Sequence, residues 1–332
     1  HEQIEPSLTK NSYQLFNSNI LIHNIGYNIS IEGKQKKAHR NLSLLREEYE
    51  LKKSAYSAFQ IAQSYNILNE REHAYKYFKI AGESVELDRS LRAQCFSSLA
   101  LMAHHNHKIR DAEKYIQFSL KLDDRQSFSQ LLASKIALRR GDYLTAEVRC
   151  RGAYQSNQNI LFGREHSKLA IILDPEEVIY FCLTLALQNK NVTNISFYQK
   201  ELSTCYNRKE NENGIIKLTV IQKLFSNAAL NPNEEKMFIE MANKHTMDLF
   251  LYTLLSNPNK QQVFQLANDL LKKFPDAVEV KKIIARLLDD FGKLDEAIQL
   301  LENVVEKDRY DPAILFYLIS FYLKKGTEEK IK

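Results

Sequence analysis

The side chains able to do chemistry are scattered along this chain. His104, His105 and His107 stand together in "AHHNHK", but adjacent histidines do not share a helical face, so the segment reads as a solvated hairpin turn. Two aspartate pairs, in "LDDRQ" and "LDDFG", lie in helical surroundings rather than as a D-x-D after a strand. No glycine-rich phosphate loop is present. Four arginines, Arg139, Arg140, Arg149 and Arg151, fall near one predicted hairpin in "LRRGDY" and "EVRCRGAY". Guanidinium forks there could line a groove for a protein or peptide carboxylate. The structural alternative, which outweighs it, is a solvated face tied by ion pairs within the hairpin.

The cysteines are Cys95, Cys150, Cys182 and Cys205. No two make a C-x-x-C pair, and no Cys/His spacing matches a zinc site. Each sits in an apolar helical context, so all four read as buried small hydrophobes, which fits a reducing, cytoplasmic compartment. At the N-terminus, "SNILIHNIGY" is rich in isoleucine, carries His23, and reads as a short buried strand ending at Gly26. One strand needs a partner, so its sheet is expected upstream of this chain. Lys34 to Leu51 then form an amphipathic helix with Ala38, Leu42, Leu45 and Tyr49 on one face.

The elements that must position these groups are helices. Only 9 Gly and 6 Pro interrupt 332 residues, and both residues break helix interiors. With 26% charged and 44% hydrophobic residues the composition is globular. No apolar run is long enough to span a bilayer, and no signal peptide is visible. The net charge of +5, from 46 basic and 41 acidic residues, is interspersed along the chain. Nucleic-acid binding asks instead for a one-sided basic face, so no nucleic-acid partner is expected.

A repeat is legible. Ala62 is followed twelve residues later by Ala74, then by Phe78 and Ala81; Ala285 is followed at the same spacing by Ala297, Leu301 and Val304. Ala100, Ala112, Ile116 and Ser119 form another copy, and Ser134, Ala146, Cys150 and Ala153 a fourth, with Arg139 to Tyr143 as its turn. Small residues let two antiparallel helices approach closely, and the large one fills the groove to the next pair. The 34-residue step from Ala112 to Ala146 is the tetratricopeptide period. The expected fold is all-α: a right-handed α-solenoid of tetratricopeptide-like hairpins over 51–156 and 260–332, with irregular helical hairpins over 157–259. Residues 1–50 carry the strand remnant and a linker helix. Repeat packing also accounts for Tyr65, Tyr75, Tyr77 and Phe78.

The ordered set His1-Glu2, then His23, Gly26 and Tyr27, then Lys37, Arg40 and Asn41, followed by these helices, resembles the junction of bacterial family 2 glycosyltransferases. Those enzymes join an N-terminal GT-A catalytic domain to C-terminal repeats, a layout similar to sublancin-type peptide S-glycosyltransferases. The resemblance covers about the first 80 residues; the spacing "HNIGY" has one residue more than the family turn. It implies that this chain, which opens on His1, is the C-terminal part of an enzyme using a nucleotide-sugar donor and a divalent metal, Mn or Mg. It implies Glu2 as acceptor base, His1 or His23 as metal ligand, and Tyr27 and Arg40 beside the donor diphosphate. The structural alternative for His23 is a core imidazole bonded to a loop carbonyl. On this resemblance the chain alone is inactive, and its repeats recognise the acceptor, hold the upstream domain, or make a homodimer. The competing function is a non-catalytic adaptor for a protein partner.

Overall fold

The computed structural model describes residues 11–14, 30–164, 171–207, 212–243, 246–306 and 312–326. The strand predicted before Gly26 lies outside them. Among the described residues the fold is all-α, as the repeat spacing predicts, and no strand occurs.

The chain divides into two compact units: residues up to Gly141 with Gln155–Ile172, and Asp142–Tyr154 with Leu173 onward. Unit 1 holds α1 Ile31–Lys52, α2 Ala55–Ile67, α3 Arg71–Glu83, α4 Arg89–His105, α5 Ile109–Leu122 and α6 Ser127–Arg139. Helix α7, Tyr143–Leu161, gives its first part to unit 2 and its remainder to unit 1. Unit 2 continues with α8 Pro175–Gln188, α9 Val192–Asn207, α10 Glu212–Phe225, α11 Pro232–Met241, α12 Met247–Ser256, α13 Lys260–Lys273, α14 Val278–Asp290, α15 Leu294–Val305 and α16 Pro312–Lys325.

Helix starts follow the capping residues. Ser54 accepts the Ser57 amide at 3.0 Å, and Asp88 accepts that of Ser90 at 2.8 Å. Asn231 and Glu234 exchange bonds in a capping box ahead of Pro232, whose missing N–H costs nothing at a first helical position. Helix ends use one repeated device. Asn69, His107, Lys190 and Gly292 take left-handed backbone angles, φ 59°, 59°, 55° and 75°. The next amide reaches back five residues: Glu70 to the Tyr65 carbonyl, Lys108 to Ala103, Asn191 to Ala186 and Lys293 to Leu288, all at 2.8–2.9 Å. This is the hydrogen bond that closes a Schellman end.

The small residues keep a fixed place relative to that turn. Ala62, Ala100 and Ala285 stand seven residues before it, and Ala74, Ala112 and Ala297 five after; all are fully buried. Ser134 and Ala146 hold the same places around Gly141, and each is fully buried. Phe78, Ile116 and Leu301 fill the following large-residue position, and each is buried. Gly82 shows how tight the approach is: a Cβ there would stand 3.1 Å from the Cys95 Cβ on α4. Helix α1 packs on the same core, with Leu42 in the cluster of Phe59, Phe78 and Leu91 and with Leu45 and Tyr49 against it.

The cysteine expectation is corrected. Cys95 is a buried thiol, but Cys150 on α7 and Cys182 on α8 form a disulfide with Cα atoms 5.5 Å apart. The two cysteines are 32 residues apart and meet because consecutive helices of the array stack side by side. The argument from separate thiols to a reducing compartment therefore does not hold for this pair.

Candidate functional site

Unit 1 carries an open groove between α3 and α5, the second helices of two consecutive hairpins, floored by α4. Its larger cavity, 660 Å³, is lined by Lys79 and Glu83 of α3, Arg89, Arg92 and Phe96 of α4, and Lys114, Tyr115, Phe118 and Lys121 of α5. Tyr115 also lines a second cavity of 330 Å³ that continues along the groove past Tyr75, Arg71, Glu72, Lys108 and Asp111. Volumes in this range suit bound ligands or side chains.

Large side chains line these faces. Phe96 stacks on Tyr115, with ring centroids 6.4 Å apart, and lies 5.4 Å from Phe118. The Tyr75 and Tyr115 hydroxyls share a hydrogen bond at 2.6 Å across the groove. Burial pushes the Tyr115 phenol up, and the bond from Tyr75 adds to this, so Tyr115 keeps its hydroxyl proton near pH 7. Phe118 and Tyr75 remain 44% and 38% exposed. Repeat packing thus accounts for Tyr65 and Phe78, which are buried, but not for Tyr75.

Two arginines are fixed in place by helix ends. Arg89 donates to the Lys121 carbonyl at 3.2 Å and to that of Leu122, closing α5. Arg92 donates to the Gly82 carbonyl at 3.1 Å, near the end of α3. A guanidinium has five N–H donors, so each keeps donors for a further acceptor. Lys79, Lys114 and Lys121 are exposed. The larger cavity therefore gathers five cations and one carboxylate around an aromatic floor.

The residues singled out from sequence fall elsewhere. His1, Glu2, His23 and Tyr27 lie outside the described residues. Arg40 is exposed on α1, where its carbonyl accepts the Ser43 hydroxyl at 3.0 Å; a lone guanidinium on a helix face is no metal–diphosphate site. Arg139 donates to the His104 carbonyl at 3.2 Å and meets His107 Nδ1, while Arg140 pairs with Glu113. Burial, with the nearby Arg139 guanidinium, holds His104 below its ordinary value. Arg149 is half-buried and Arg151 exposed, both in unit 2. "AHHNHK" forms the α4–α5 turn, with His107 as its left-handed residue. Among the described residues no group of three or more His, Cys, Asp or Glu side chains could hold a metal ion, and no helix is long and apolar enough to cross a membrane.

No protein-family model matches the chain, and no curated protein matches it. Among solved structures, PilF of Pseudomonas aeruginosa is 14% identical, covering 80% of this chain and 97% of its own, with a TM-score of 0.43. Yeast Tom70 is 16% identical, covering 92% of this chain, with a TM-score of 0.47. Cut9–Hcn1 of the APC/C is 12% identical, covering 90%, with a TM-score of 0.44. This chain spans 62% of the length of each of the latter two. These are likenesses only; the assignment of tetratricopeptide-like hairpins rests on the chain's own turn register and buried small residues.

Proposed function

We propose that the chain is a helical-repeat interaction region, and that the α3–α5 groove of unit 1 seats a segment of a protein partner. One observation carries this. In an array whose repeat positions are packed to zero exposure, the groove leaves Phe118, Tyr75 and three lysines around unfilled volume. Large apolar groups ringed by polar ones mark docking surfaces. A photo-crosslinking amino acid placed at Phe118 tests it, with one at Ile215, 67% exposed in unit 2, as control. A discrete protein adduct from position 118 alone supports the assignment. Equal labelling from both positions, or none from 118, overturns it.

The junction residues His1, Glu2, His23, Gly26, Tyr27 and Arg40 support a finer assignment on sequence alone: the repeats belong to a family 2 glycosyltransferase and present a protein or peptide acceptor to a catalytic domain, hold that domain, or pair two copies. Its test is the intact mass of the protein from its source. A mass larger by a domain of about 200 residues, together with donor-sugar hydrolysis by the full chain, supports it. A mass near 38.7 kDa leaves the adaptor function.

A further inference from the structure

The groove is not neutral, and its charge says what kind of segment it takes. We infer that the α3–α5 groove binds an extended acidic segment of a protein, with one large apolar side chain seated among Phe96, Tyr115 and Phe118; this rests on the groove being the docking site. Five cations and a single carboxylate, Glu83, line the larger cavity. Lys79, Lys114 and Lys121 have no ion-pair partner among the described residues. Six lysines of unit 2, Lys260, Lys272, Lys282, Lys293, Lys324 and Lys325, do each face a carboxylate; what sets the groove apart is that its three unpaired lysines share one cavity with two arginines. Five like charges gathered around one counter-charge repel one another, and an acidic ligand relieves this on binding.

The second cavity is charge-balanced and favours a peptide over a nucleic acid. Its lining balances Arg71 and Lys108 against Glu72 and Asp111. A phosphate backbone carries charge at every step and would meet two carboxylates there. A peptide can be acidic at one end and neutral at the other. The groove runs beside α3, whose 13 residues span about 20 Å, the reach of about six extended residues. The tyrosine pair at the junction offers hydroxyls to a peptide carbonyl or amide.

The test is selection from a displayed library of random twelve-residue peptides against the whole chain, with counter-selection on the Lys79→Glu/Lys114→Glu/Lys121→Glu variant. All three lysines are exposed, so the variant should keep the wild-type circular dichroism. Supporting results are groove-dependent peptides with net negative charge and at least one large apolar residue. Their affinity should fall at least ~tenfold in the variant and weaken as salt rises. Phe118→Ala should weaken the same peptides without changing their salt dependence. Groove-dependent peptides that are neutral or basic overturn the acidic class and leave the docking site standing. Peptides indifferent to the variant overturn both. Binding of a twenty-nucleotide oligo-U, lost in the variant, overturns the protein partner in favour of nucleic acid.

Discussion

Hairpins α2–α3 and α8–α9 share a backbone plan and differ in what fills it. Both turn through a left-handed residue, Asn69 in one and Lys190 in the other, and both second helices begin two residues later. In the first, Ala62 and Ala74 occupy the two small-residue positions and are fully buried. In the second, the same positions carry Leu183 and Ile195, and Ile195 is only half-buried. Its second helix buries Tyr198, one residue before the place Phe78 holds, and Leu202 at the place of Ala81, both fully. Leu183 and Ile195 are too large for the close approach that alanines permit at these places in α2–α3, and other ties are present. Glu147 of α7, itself buried, accepts from the side-chain amides of Asn189, Asn191 and Asn194 at 2.6–2.8 Å. The Cys150–Cys182 disulfide lies three residues along α7, and Tyr154 donates to Glu201 further on. One hairpin is held by close apolar packing, the other by polar and covalent links to its neighbour.

The largest effect that separates the two regimes is in the apolar one. Phe78→Ala removes a fully buried ring that packs edge-on to Phe59 at 6.4 Å. It is expected to lower stability by about 3–5 kcal/mol. In an array whose repeats contact mainly their neighbours, hydrogen exchange should rise across α2 to α4 and stay unchanged in α8 and α9. A loss spread evenly over both units would show that the chain does not divide energetically as the helices are packed.

Next comes the covalent tie. The double variant Cys150→Ala/Cys182→Ala opens a loop set by the 32-residue separation, and loop entropy puts the cost at about 3–4 kcal/mol. Amides of α8 and α9 should lose protection, those of α2 and α3 should not. Urea unfolding of the variant should be indifferent to reductant, while that of the parent chain should shift downward with it. If reductant leaves the parent unmoved, the disulfide contributes nothing to holding α7 on α8, and the Glu147 cluster with Tyr154 must carry that junction.

These contrasts mark where sequence was informative. Ala62 and Ala74, or Ala285 and Ala297, announce close helix packing because only small residues permit it, and their spacing survives any surface change. Leu183 and Ile195 occupy the same backbone places with ordinary helix residues, so nothing in composition flags them. Cys150 reads as a small hydrophobe because buried cysteines pack as such; its partner is visible only once α7 and α8 lie side by side. The groove was hidden for a different reason. Lys79, Lys114 and Lys121 are spread over two helices and look like solvated faces until α3 and α5 are neighbours. Conversely, Arg139 and Arg140 looked like a cluster in sequence, yet their guanidinium groups bond to the His104 carbonyl and to Glu113.

The smallest expected effect probes the cost of the polar regime. Tyr198 is fully buried, and its hydroxyl has no hydrogen-bond partner among the described residues. Burial pushes its phenol up to about 12 from an ordinary 10.0, against the pull of Arg151. A buried hydroxyl without a partner costs roughly 1–3 kcal/mol, so Tyr198→Phe should leave stability unchanged or raise it by about 1 kcal/mol in urea unfolding followed by circular dichroism. The pH dependence has a definite sign. Because the folded state holds this proton more tightly than the unfolded chain, stability is intact below pH 10.0 and falls as pH rises toward about 12. Tyr198→Phe should remove that part of the alkaline loss. A Tyr198→Phe chain that is less stable at neutral pH would mean the hydroxyl is bonded in solution, and the α8–α9 hairpin would then be satisfied throughout.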